Sequence, residues 1–366
     1  MSITFGVLPW PRHHTAGPQV MVSRFIHCAR QRGYGVLPDI LVSRQQPCLL
    51  NISARSQKSL LGNSRRVVYR VAGLYIREVF DRLAAAYGDR KFLPEYEKYN
   101  ERTRLALQLA SFVIYQSQWA KRQLDTLYCR PEGSWRVISN GVDLTLFRPG
   151  SDWPRSPGKP PVLGAVGALR YRTRLEVLFD VARRLPEKPH LLLIGTMDEH
   201  CQRALDGLLR TPGWPDRVQH IPAVSPDKLV EHYRRMDCLV HTVVGDWCPN
   251  VVVEALACGV PVVCPTEGGT MELVGPGGIV VADPEWTYGE ALRAGMAEAV
   301  VRVLEDLPAY QQRARFQAEA NNDLEDVTTL YLEALGLPAQ VSAESWRLNV
   351  IRLVEGLLPG CSVRCP

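Results

Sequence analysis

The sequence predicts an α/β protein made of two Rossmann-like domains, and three observations point there. At 366 residues the chain is longer than one hydrophobic core usually supports, and it suits two domains. Short apolar runs alternate with helical patterns in both halves, as βαβ units and parallel sheets require. Between the halves, PGSDWPRSPGKPP (149–161) holds five prolines and two glycines, leaving too few N–H donors and too many fixed φ angles for helix or sheet. This segment is read as a linker over 150–160. It joins an N-terminal domain over 1–149 to a C-terminal domain over 161–338, with a helical tail over 339–366.

The elements follow in order. Residues 3–8 read as a first strand, followed by the loop PWPRHHTAG and a helix from Pro18 to about Gln31, with Gly33 as its C′ stop. Further strands are expected over 49–53, 67–71, 112–116 and 135–138. In the second half, 162–166, 190–194, 218–221, 238–241, 260–264 and 278–281 fill the same role. GAVGAL (164–169) has the wrong spacing for G-x-G-x-x-G and lacks its third glycine, which argues against a dinucleotide-dependent hydride-transfer enzyme. Residues 342–358 place Trp346, Val350, Ile351, Val354, Leu357 and Leu358 at helical spacing.

Composition excludes several classes. With 46% apolar and 22% charged residues the chain is globular rather than disordered. Its longest apolar runs fall far short of the roughly 20 residues that cross a bilayer, so no transmembrane segment is expected. The N-terminus lacks a basic n-region and a long h-region, and the expected location is cytoplasmic, with peripheral membrane contact left open. Ten cysteines without a CxxC pair argue against a disulfide scaffold or a metal site. Residues 1–150 hold 22 Lys/Arg against 10 Asp/Glu, whereas 151–366 hold 21 against 28. A basic first half fits an acidic acceptor or an anionic membrane surface. The same half interleaves Tyr69, Tyr75, Phe80, Tyr96 and Tyr99 with Arg and Lys. Core helices account for that pattern better than nucleic-acid binding does.

The stretch DWCPNVVVEALACGVPVVCPTEGGTMELV (246–274) carries the most chemistry. Pro249 and Asn250 start a helix, VVVEALAC forms its body and Gly259 ends it, before a strand and a Gly-Gly turn. Three adjacent valines are poor helix formers, so this helix must depend on burial. Its N-terminus offers unpaired N–H groups and a positive dipole end to a phosphate. Glu254, about one turn in, can accept hydrogen bonds from vicinal hydroxyls such as a ribose diol, and Asp246 stands where a second hydroxylated ring would lie. Two acids flanking a phosphate-binding helix end fit a sugar nucleotide.

Asp246, seven residues, Glu254, then ALACGVPVV and GGTMELV resembles glycosyltransferase family 4 of the GT-B fold, whose pattern is an acid, seven residues, Glu, A-x-A-x-G-x-P-V-V and a Gly-Gly turn. VISNGVDLTLFRP (137–149) is similar to the family's segment closing the first domain, and 218–243 to its strands near the nucleotide base. The resemblance spans about 110–285 and implies two Rossmann-like domains facing each other across a cleft, with retaining transfer of a sugar from a nucleotide diphosphate to an acceptor and no metal required. By resemblance Glu254 holds the ribose and Asp246 lies against the donor sugar. Phosphate donors are sought at the N–H groups of Asn250 and Val251 and at the turn Gly268-Gly269, with Glu272, Gly167 and Arg170 completing the donor side. The C-terminal tail is expected to pack on the first domain, as terminal GT-B helices do.

The chain departs from the pattern in three places. Asp246 replaces the usual Glu and reaches one methylene less far. GALRYRT puts Ala168 and Thr173 where the family has Arg and Lys, so one of Arg170, Arg172 or Arg174 must substitute, with Arg172 the first choice. VVYRVAGLY lacks the family's His pair, which leaves His13, His14 and Gly17 as the acceptor or phosphate candidates of the first domain. Two other functions fit the same residues: a GT-B nucleotide-sugar epimerase, and a binding protein for sugar nucleotides or acidic ligands that no longer catalyses.

Overall fold

The structure, a computed structural model, describes residues 3–8, 17–38, 46–51, 66–88, 93–127, 133–154, 156–157, 160–284 and 286–339. His13, His14 and the tail segment 342–358 lie outside the described residues.

The first domain holds β1 (Thr4–Leu8), α1 (Gly17–Gln31), β2 (Gly35–Pro38), β3 (Cys48–Asn51), β4 (Val67–Arg70), α2 (Arg77–Tyr87), α3 (Pro94–Leu109), β5 (Phe112–Tyr115), α4 (Gln118–Leu127) and β6 (Ser134–Val137). Its sheet runs β2-β1-β3-β4-β5-β6, parallel at every pairing. The second domain holds β7 (Val162–Val166), α5 (Arg172–Arg184), β8 (His190–Ile194), α6 (Glu199–Leu209), β9 (Val218–Ile221), α7 (Pro226–Arg235), β10 (Cys238–Val240), α8 (Asn250–Ala257), β11 (Val262–Pro265), α9 (Thr270–Val274), β12 (Gly278–Val281), α10 (Glu290–Glu305) and α11 (Leu307–Asn321); α12 (Leu324–Ala334) follows. Its parallel sheet runs β12-β11-β10-β7-β8-β9, the doubly wound order of a dinucleotide-binding fold even though the glycine fingerprint is absent.

The expected strands are present with ends shifted by one or two residues, and β2 is the addition. It is only four residues long and ends in Pro38, a pattern that reads as loop; it survives as an edge strand, where a missing N–H does no harm. Gly33, at φ +87, lets the chain turn back from α1 into β2. Strands buried on both faces explain the uninterrupted apolar runs, as in Leu191, Leu192, Leu193 and Ile194, each at most 2% exposed. Helix α8 is buried from Val252 to Ala257, so its valines are held by packing against neighbours rather than by propensity. It stops at Gly259, where φ is +72 and a Cβ would collide with the Trp153 ring.

After α11 the chain returns to the first domain. Helix α12 packs on α1, with the Phe25 and Tyr331 rings 5.1 Å apart. A buried polar junction ties the two domains at the same level. Arg70, fully buried on β4, donates from Nε to the Tyr331 hydroxyl (2.8 Å) and from Nη2 to Asn140 Oδ1 (2.6 Å). Asn140 Nδ2 donates to the Cys248 carbonyl (2.7 Å), and Asn322 Nδ2 donates to the Asn140 carbonyl (2.9 Å). Asn140 is therefore a bridge between domains. Asn140→Ala should strip partners from the buried Arg70 guanidinium and the Cys248 carbonyl at about 1–3 kcal/mol each. A thermal melt should then show the midpoint several degrees lower; an unchanged midpoint would remove the junction from the forces holding the domains together.

Candidate active site

In the second sheet the strand order reverses between β7 and β10, and ligands of doubly wound sheets bind outside the strand C-termini at such a switch point. A cavity of about 330 Å³ lies there, between residues 165–171 after β7 and 240–251 after β10. Ala72, Gln116 and Asn140 of the first domain face it, so it is an interdomain cavity. Gly167 lines it at φ +128, and a Cβ there would meet only open space; a glycine is required by the backbone and leaves room for close approach by a ligand. Helix α8 begins at the cavity wall, where Asn250 and Val251 present its first turn.

Asp246 is half-buried and lines this cavity and a second of about 460 Å³ on the first domain's side. It is the one carboxylate among the described residues lining either. His241, one residue past β10, is 6% exposed and holds Nε2 3.4 Å from Asp246 Oδ2. Burial pushes the Asp246 carboxyl up, but the neighbouring His241, the Arg174 charge and the Trp247 N–H outweigh it and hold the group below its ordinary value. Asp246 is thus a persistent carboxylate and a weak base.

Arg174 lines both cavities. Its Nε donates to the Tyr288 hydroxyl oxygen (3.2 Å) and its guanidinium lies 4.2 Å over the Tyr171 ring. Arg170 lines the smaller cavity and is exposed. Arg172, the first choice from sequence, is corrected: it points outward and pairs with Glu176 on the α5 surface at 3.2 Å. Residues two apart on a helix face different sides, so the shift that brings one cation to the cleft sends the other to solvent. Thr173 is fully buried.

The other donor-side candidates make contacts within the protein. The Glu272 carboxylate accepts the N–H groups of Gln118 and Trp119 (2.7 Å each), capping α4 of the first domain instead of holding a hydroxyl. The Gly269 N–H donates to the Asp246 carbonyl (2.7 Å), and a Cβ on Gly268 would press on the Asp246 backbone. The Gly-Gly turn therefore shapes the Asp246 loop and does not offer Gly269 N–H to phosphate. Glu254 is 5% exposed and lies outside the cavity lining. It pairs with Arg24 of α1, and the Tyr233 hydroxyl stands 3.1 Å from both Glu254 Oε2 and the Val251 carbonyl, donating to one at a time. Gly17 opens α1.

Sequence reasoning missed His241 and the aromatic residues Trp247, Trp286 and Tyr288. The strand-end position of His241 was the available signal, since strand C-termini at a switch point are where ligands sit. Trp286 (φ +56) and Tyr288 (φ +52) occupy backbone conformations that bulky residues rarely adopt, and nothing local in the sequence announces them.

Residues 160–306 match the protein family described as glycosyl transferases group 1. A D-inositol 3-phosphate glycosyltransferase of Mycolicibacterium smegmatis is 30% identical over 176 residues, 46% of this chain and 40% of that protein. The chain thus spans less than half the length of that relative. Among solved structures, sucrose-phosphate synthase from Thermosynechococcus elongatus is 18% identical, with a TM-score of 0.69 over 92% of this chain and 98% of that one. HepE of Anabaena in complex with UDP is 19% identical, with a TM-score of 0.67 over 92% and 100%; it has also been solved with UDP-glucose. The fold is GT-B: two Rossmann-like domains facing each other across a cleft. Among the described residues no helix is long and apolar enough to cross a membrane.

A depressed carboxyl pKa contributes stability that is full above the unfolded value, about 3.9, and lost as pH falls through the folded value. The stability gap between wild type and Asp246→Asn should therefore narrow below about pH 4. Urea unfolding at several acidic pH values measures it, and a gap that stays constant would show that Asp246 is not held ionised by its surroundings.

Proposed function

We infer that this protein is a retaining glycosyltransferase that moves a sugar from a nucleotide diphosphate to an acceptor bound in the interdomain cleft. One observation carries the reading: Asp246, Arg174, the open Gly167 backbone and the first turn of α8 converge on one cavity at the switch point of the second sheet. The match of residues 160–306 to glycosyl transferases group 1 falls on the same domain, and the Asp246-x7-Glu254 spacing supports a family 4 type. UDP is the first nucleotide to test, because HepE, of like fold, is solved with UDP and UDP-glucose.

In this reading the pyrophosphate lies against the N-terminus of α8 and Gly167, with the Arg174 and Arg170 charges on it, and the sugar lies beside Asp246. Breaking the glycosidic bond throws negative charge onto the diphosphate, which fixed N–H donors and guanidinium groups stabilise without reorganising. The acceptor hydroxyl attacks the anomeric carbon as the sugar–phosphate bond breaks, and its proton passes to the departing phosphate oxygen. Asp246, a weak base, acts by stabilising positive charge on the ring and orienting a sugar hydroxyl. Glu254 takes the ribose once Arg24, from the other domain, gives up its share of the carboxylate.

A second reading, a sugar-nucleotide-binding protein without transfer, draws on that same pair, since Glu254 is already neutralised by Arg24. Incubation with UDP- and GDP-sugars separates the two by release of free nucleotide, and NMR of the product anomer reads retention. Asp246→Asn and Arg174→Ala should each lower kcat by on the order of 10²-fold, as loss of one charge-stabilising group does. Unchanged turnover in both variants would move the chemistry elsewhere; nucleotide binding without release would favour the second reading.

A further inference from the structure

The larger cavity is the part of the cleft that the donor does not fill. It opens on the far side of Asp246 from Gly167 and α8, so a hydroxyl placed in it meets the sugar at that carboxylate. Its chemistry is unlike that of the donor side. Its walls are mainly aliphatic and aromatic, from Ile76, Val79 and Phe80 of the first domain to Trp247 and Trp286 of the second. Among the described lining residues Arg174 is the only cation and Asp246 the only anion. Among the described residues of the first half, none that lines this cavity is basic.

The aromatic groups form a built wall. Tyr75 stacks on Tyr96 at 4.1 Å and 10°, and Phe80 lies 5.0 Å from Tyr96, which braces the two lining rings from behind. On the opposite side Trp119 packs 5.8 Å from Trp247 and 5.9 Å from Trp286. Two features commit backbone to that arrangement. Trp286 is held at φ +56, and Gly245, at φ +73, has no Cβ where one would press on the Trp286 ring. An unusual backbone at a bulky residue persists only where its surroundings over-determine it. Flat π faces and aliphatic walls around about 460 Å³ accommodate a ring system and give a phosphate or a polyol few partners.

We propose that the acceptor is an uncharged aryl alcohol, whose ring lies between Phe80 and Trp286 and whose hydroxyl is delivered to Asp246. The proposal deepens the transferase reading and rests on it for the hydroxyl's fate: the aryl oxygen bonds to the anomeric carbon, the sugar–phosphate bond breaks, and the phenolic proton leaves on the nucleotide diphosphate. Occupation of the cavity does not depend on turnover, so binding and transfer are measured separately.

Isothermal titration of the full chain with 2-naphthol, and in parallel with myo-inositol 1-phosphate, tests the site. Naphthol should bind with little salt dependence, and Phe80→Leu, which keeps apolar volume but removes the ring at a half-exposed position, should weaken it about tenfold. Trp286→Ala should do the same, with a thermal melt confirming that each variant is folded. Binding of the inositol phosphate in place of naphthol, no naphthol binding, or naphthol binding that Phe80→Leu leaves unchanged would each overturn the proposal. Naphthol bound, with no nucleotide released to it or to any other acceptor, would leave the site standing and remove the transferase reading. Nucleotide released to a sugar or phosphate acceptor, with naphthol ignored, would do the reverse.

Discussion

The site exists because the Asp246–α8 loop of one domain is pinned to the first sheet of the other. Asn140 does the pinning, with one side-chain end on Arg70 of β4 and the other on the carbonyl of Cys248, two residues from Asp246 and two from the start of α8. The Ser117 hydroxyl adds a bond to the Trp247 carbonyl (3.0 Å), and Glu272 caps α4 from across the cleft. Buried polar networks are costly when half-satisfied and rigid when complete. This one is placed where rigidity sets the distance from the Asp246 carboxylate to the start of α8.

Around that frame the charges are few and separately placed. Asp246 is kept ionised by His241 and Arg174, and the same Arg174 is kept in place by Tyr288, whose hydroxyl also takes the Val244 N–H (3.3 Å). A carboxylate so stabilised is a poor proton acceptor, which is why a mechanism returning the proton to the leaving phosphate suits it better than one requiring a protein base. The buried Thr173, which brings no second cation there, agrees with this economy. Helix N–H groups and one well-oriented guanidinium keep positive charge at the cavity between β7 and β10.

Much of this was legible in the residues. Alternating apolar runs and the proline-rich linker are strong local signals, and they located two parallel sheets. The Asp246-to-Gly259 stretch could be read because helix start, apolar body and glycine stop are all short-range features. What sequence could not give was the direction in which a side chain leaves its helix. Arg172 and Arg174 are equivalent as letters, and only the rotation of α5 over the sheet decides which faces the cleft. The contacts of Glu272 and Asn140 were hidden for a related reason, because their cross-domain partners, Gln118 and Cys248, lie more than a hundred residues away. The switch-point loops of the first sheet, after β1 and β3, fall in 9–16 and 52–65, outside the described residues.

The Arg24–Glu254 pair bears on how the two domains meet. Its partners come from α1 and α8, and both side chains are largely shielded from water, at 14% and 6% exposed. Such a pair contributes little net stability over apolar packing, yet removing one partner strands the other, so its effect lies in register rather than strength. Arg24 also donates to the Gly141 carbonyl (3.1 Å), beside the Asn140 junction. The same residue therefore touches the interdomain junction and the acid the family pattern assigns to the ribose. A ligand that drew on Glu254 would have to loosen the contact that fixes α1 over α8, so its binding free energy would be coupled to the way the two domains meet.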